Sequence, residues 1–100
     1  MNERNLAIIK MKKALKRGAK LSAHTYECVV WKYEEKTESI YLNVSCPLTD
    51  ISLDAIYECK VMGVKQEIIM TGRVVERYIC ESGNVIKIHI QTGFYKNSIK

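Results

Sequence analysis

Between residues 53 and 61 the side chains alternate. Leu53, Ala55, Tyr57, Cys59 and Val61 share one side of an extended chain, and Asp54, Glu58 and Lys60 share the other. A period of two fits a strand with one dry and one wet face and does not fit a helix. Residues 86–90 repeat the pattern, with Ile86, Ile88 and Ile90 alternating with Lys87 and His89. Such strands need partners and a shared core, so a chain built on them folds as a sheet packed against itself.

The remaining strand signals fall at short intervals. Residues 25–33 are rich in β-branched and aromatic side chains, the polar run Glu34, Glu35, Lys36, Thr37 offers a turn, and Ile40, Leu42 and Val44 alternate with Tyr41 and Asn43. Pro47 ends that second strand in a loop through Asp50, and Gly63 marks the next turn. Ile68, Met70, Gly72 and Val74 face the core of the following strand, with Arg73 and Arg77 on its other side and Gly72 suited to a bulge or sharp coil. Glu81, Ser82, Gly83 and Asn84 form a hairpin turn before the last strand. A flat sheet of this kind would leave too many apolar inward residues uncovered. Closure predicts a mainly β fold: a small antiparallel (split) β-barrel of five to six strands. One hundred residues provide one such core and no second domain.

Residues 1–20 read differently. They hold seven basic residues against Glu3 alone, a net of +6 in a chain of +5, so residues 21–100 sum to −1. At about 100° per residue, Ala7, Ile8, Met11, Ala14 and Leu15 form one stripe and Lys10, Lys12, Lys13, Lys16, Arg17 and Lys20 the opposite arc. The expectation is an amphipathic α-helix over residues 3–17, with Asn2 or Asn5 at its start and Gly18 as a left-handed C-cap. The organisation expected is a basic helix over 1–20 and a barrel over 21–100, together one domain.

Composition narrows the function classes. No apolar run approaches the roughly 20 residues that span a bilayer, and the N-terminus lacks a signal-peptide core. A soluble, cytoplasmic protein is expected. Cys28, Cys46, Cys59 and Cys80 show no CxxC pair and no short spacing to His24 or His89, which argues against zinc and for small buried thiols. Glu34, Glu35 and Glu38 sit in a turn, and no phosphate-cradling glycine loop, metal set or nucleophile triad accompanies them. No enzyme activity and no cofactor are expected.

The closing stretch TGRVVERYICESGNVIKIHI, preceded by ISLDAIYECKVMGVKQEIIM, resembles the last three strands of PilZ-type barrels. The likeness is greatest to the PilZ-like N-terminal domain of bacterial flagellar-brake proteins. It extends back through SIYLNV, followed by proline, to TYECVV, and so spans roughly residues 22–92. The resemblance implies a regulatory binding module in cyclic-di-GMP signalling. Ligand-binding members hold the dinucleotide with an RxxxR segment before the barrel and a D/N-x-S-x-x-G segment at an early strand. Arginine forks grip phosphate and stack on guanine, and short polar side chains bond the base.

Both motifs depart from that pattern here. Lys13 and Arg17 supply KxxxR, and Lys16 and Lys20 supply KxxxK, where paired arginines would stand. Asp50 and Ser52 open a D-x-S-x-x-A run that ends on Ala55 instead of glycine and falls one strand late. The candidate ligand residues are therefore Lys13, Lys16, Arg17, Lys20, Asp50 and Ser52, with cyclic-di-GMP as ligand and a protein partner expected. Two alternatives stay open: nucleic acid bound by the basic arm and a small barrel, and weak attachment to anionic lipid through the N-terminal helix. Against the first, Trp31, Tyr33 and Tyr41 neighbour Glu34, Glu35 and Glu38 in sequence.

Overall fold

The computed structural model describes residues 5–14, 24–53, 55–63, 66–92 and 95–98. Their strands are β1 (Leu6–Ala14), β2 (Thr25–Glu34), β3 (Ser39–Val44), β4 (Ala55–Met62), β5 (Gln66–Cys80), β6 (Gly83–Ile90) and β7 (Tyr95–Ser98). Neighbours pair antiparallel in the order β4-β1-β2-β3-β6-β5-β7, and a further pairing of β4 with β5 closes the first six into a barrel.

The expected N-terminal α-helix is not there over the described residues: Leu6–Ala14 is a strand. Ala7 and Ile9 are buried and Met11 packs against the core, while Leu6, Lys10 and Lys12 are exposed. Ala7 and Met11 satisfied both periods, Ile9 only that of a strand, and long-range pairing decided between them. Without β1 the sheet would end on two open edges, β2 and β4. With it, Ile9 pairs Tyr26 on one side and Cys59 on the other, and both ladders are satisfied. Lys10, Lys12 and Lys13 thus belong to a barrel strand and not to a detached arm. Positions 3–4 and 15–18 of the expected helix and its cap lie outside the described residues.

The interior is continuous. Ile9, Val30, Ile40, Leu42, Tyr57, Cys59, Val61, Met70, Val74, Ile86 and Ile88 are each 1% exposed or less. Burying one aliphatic side chain of this size is worth about 1.5–3 kcal/mol, so the inward-facing strand positions supply most of the drive to close. The alternations read for β3, β4 and β6 all point inward as expected.

β5 carries the closure. Its first half pairs β4 on one edge and β7 on the other, and its second half pairs β6. Gly72 lies at the handover, opposite both Tyr57 and Ile90. A Cβ there would collide with the His89 carbonyl and reach within 2.7 Å of Ile88 Cγ2, so close strand approach is what this glycine allows. The expected bulge falls three residues later, at Val75, where the register shifts between Val74 and Glu76. That extra residue reverses the expected placing of Arg77. It now pairs with the core residue Ile86, while Arg73 stays in register with His89.

All four thiols are free, with Cys28 and Cys59 buried in strands and Cys46 and Cys80 half-buried. Burial pushes the Cys59 thiol up to about 12 and raises that of Cys28 further.

Candidate functional site

Chain direction brings Lys13, Asp50 and Ser52 to one end of the barrel. β1 ends there at Ala14, β2 begins there at Thr25, and β3 leaves there into the loop that returns as β4. Lys13 is exposed near the end of β1 and pairs with Ile56. Asp50 and Ser52 lie in the β3–β4 loop, where Pro47 opens a 3-10 turn over Leu48–Asp50. Lys16, Arg17 and Lys20, in the connection from β1 to β2, lie outside the described residues.

The loop is held by side chains from the strands around it. Between Asp50 and Ser52, Ile51 is 0% exposed and plugs the barrel. Arg77 Nη1 donates to the carbonyls of Ile51 at 2.7 Å and Leu48 at 3.2 Å, and Arg73 Nε donates to Leu53 O at 3.3 Å. Asn84 Nδ2 donates to Cys46 O at 3.1 Å. The Tyr26 hydroxyl donates to Asp50 O at 3.3 Å, and the Tyr57 hydroxyl accepts from Ser52 N–H at 3.0 Å. A tight turn exposes several carbonyls at once. Guanidinium, with its several donors in one plane, satisfies two of them from a single side chain.

Beside this loop an open cleft of about 340 Å³ is lined by His24, Thr25, Tyr26, Glu27, Ser45 and Cys46. The His24 and Tyr26 rings stack tilted at 4.8 Å. Burial raises the Tyr26 pKa, with Tyr57, Asp50 and Cys46 adding to it, and burial also raises Tyr57 against the opposing bond from the Ser52 amide. Burial and nearby Asp50 likewise raise Cys46. Phenols and thiol stay protonated at neutral pH. The cleft therefore presents hydrogen-bond donors and a carboxylate, which is chemistry for recognising a polar ligand rather than attacking one.

The structure thus brings Lys13, Asp50 and Ser52 to one end, but it spends the Ser52 amide and the Asp50 carbonyl on the barrel's own tyrosines. Tyr26, Cys46 and Arg77 belong to this end and were missed from sequence. For Arg77 the available signal was the doubled apolar pair Val74–Val75, which breaks the alternation where the bulge falls.

Of the aromatics named for nucleic-acid stacking, Trp31 and Tyr41 lie on the outer face of β2 and β3, whereas Tyr33 pairs with buried Ile40 and packs against the core. Trp31 occupies a bulge between Val30 and Lys32 and meets Tyr41 edge-on at 6.0 Å. Lys32 Nζ lies 4.4 Å from the Tyr41 centroid and 5.3 Å from that of Trp31, and Lys87 Nζ lies 5.5 Å from Tyr41. A bond with Tyr41 raises the Lys87 pKa. The cross-strand neighbours of Tyr41 are the cations Lys32 and Lys87. They roof Tyr41, which is only 8% exposed although it faces outward.

Among the described residues no group of three or more His, Cys, Asp or Glu could hold a metal, and no helix is long and apolar enough to cross a membrane. Comparison with family models, with curated proteins and with solved structures finds no match.

Proposed function

We propose that the chain is a non-catalytic, PilZ-like regulatory or interaction module of bacterial cyclic-di-GMP signalling, acting through protein contacts and retaining a weakened dinucleotide grip. The observation that carries the reading is the role of GRVVERY, the stretch on which the resemblance rests. It forms the closing part of a six-stranded antiparallel barrel, with Gly72 at the tight strand approach and Arg77 holding the loop that contains Asp50 and Ser52. Lys13 at the same end, and the lysine-rich connection that follows it, offer charge for phosphate without the geometry of paired guanidinium forks.

Titration calorimetry with cyclic-di-GMP tests the ligand half of this reading. The wild-type protein is expected to give weak, salt-sensitive heat. Lys13→Arg, which restores an RxxxR spacing with Arg17, is expected to strengthen it about tenfold, the size of one added charge-assisted contact of about 1.4 kcal/mol. No heat from either protein removes the dinucleotide. Failure to bind any cyclic-di-GMP effector or flagellar component in a purified-component pull-down removes the signalling role.

A second reading, single-stranded nucleic acid, draws on the cations around Trp31 and Tyr41. It predicts a salt-dependent electrophoretic shift with a single-stranded RNA that Trp31→Ala weakens.

A further inference from the structure

The outer face of β2, β1 and β4 carries charges arranged with opposite signs about an apolar centre. Ile8 lies between the buried residues Ala7 and Ile9 and so points outward. It pairs with Glu27 of β2 on one side and Lys60 of β4 on the other. The next outward row pairs Leu6 with Val29, and the β1–β4 register continued by one residue puts Met62 on the far side of Leu6. Leu6 is 64% exposed and Met62 37%. The ion pair on this face joins Lys12 to Glu58 at 3.6 Å; Glu27 and Lys60 have no ion-pair partner among the described residues.

We infer that this face binds a second copy of the chain. A two-fold axis laid along β1, midway between two facing copies, keeps Leu6 on Leu6 and Ile8 on Ile8 and exchanges β2 with β4. Glu27 of each copy then meets Lys60 of the other, and Val29 meets Met62. The reversal of charge across Ile8 makes the face complementary to itself under this one operation. Rotation about an axis across the strands would instead set Glu27 on Glu27. The two Lys10 residues also come together, each beside the Glu58 with which it pairs in its own copy. The barrel is convex, so three strands meet three strands. The contact is of the small class, below about 1,200 Å², that gives a monomer–dimer equilibrium rather than a permanent dimer.

Sedimentation equilibrium on the full chain at low salt, from micromolar to millimolar concentration, tests this. The wild-type mass is expected to rise toward twice the monomer's. Glu27→Lys and Lys60→Glu, each alone, are expected to weaken association at least about tenfold, since each sets like charges face to face. Mixed in equal amounts, the two variants are expected to associate again as a heterodimer, because each then supplies the charge the other lacks. Both positions lie outside the core, and circular dichroism melts establish that the variants fold. A wild-type chain that stays monomeric over the whole range overturns the inference, as does a mixture no more associated than its components.

Discussion

The two ends of the barrel are closed by different kinds of bond. At the end that carries the β3–β4 loop, side chains from β2, β4, β5 and β6 reach out to loop backbone: Tyr26, Tyr57, Arg73, Arg77 and Asn84 each make one or more such bonds. At the end that carries the β2–β3 turn, main chain bonds main chain. Ile90 N–H donates to Glu38 O at 2.8 Å, and the amides of Gln91 and Thr92 both donate to Thr71 O, at 2.9 and 3.3 Å. Side chains there are accessories, such as Ser39 Oγ and His89 Nδ1 on Thr37 O. The first end takes its shape from residue identity and the second from chain path. Point substitutions should therefore reshape the cleft end and spare the other.

The largest effect is expected from Ile51→Ala. Removing the plug leaves a cavity inside a ring of strands, and unfolding in urea is expected to show a loss of about 2–5 kcal/mol. Arg77→Met comes next. It keeps a long apolar stem but removes the donor to the solvent-reachable Leu48 carbonyl and the part-buried Ile51 carbonyl, at a cost of about 1 kcal/mol. Hydrogen exchange should quicken in the β3–β4 loop and stay unchanged at Ile90 and Gln91.

Thiol chemistry separates the interior from the ends. Cys46 and Cys80 are expected to react with a disulfide reagent in the native protein, and Cys28 and Cys59 only as fast as the barrel opens. The folded pKa of Cys59 lies above the unfolded value of about 8.5. The stability tied to its protonated form is present in full below that pH and is lost as pH climbs toward the folded value of about 12. Melting temperature should fall on the alkaline side. The smallest effect belongs to the main-chain end, where Thr92→Val removes a hydroxyl bonded to Thr71. It should shift stability by less than about 0.5 kcal/mol and leave the cleft end's exchange rates alone.

Much of the barrel was legible because the inward residues of β3 and β4 alternate along the strand and those of β6 do so from Ile86 to Ile90. β1 was not, because Ala7 and Met11 fit a helical stripe as well as a pleat, and only the vacant edges of β2 and β4 decide between them. β3 also hides a fact that its alternation conceals. Ser39 and Tyr41 point outward yet are buried, since lysines from β2 and β6 cover Tyr41. The loop motif at Asp50 and Ser52 was visible as a pattern of polar residues. Its meaning lies in Ile51 between them, and that position gains its role only once a ring of strands exists to be plugged.

Of the barrel strands, β1 is made before β2, but Ala55–Met62, which must cover its other edge, follows some fifty residues later. Until then the strand can pair with β2 alone, its other edge and its apolar face open to whatever is nearby. Closing so long a loop late in synthesis favours slow, all-at-once formation of the ring. It also leaves the apolar face and one edge of β1 open to wrong pairings in the interval.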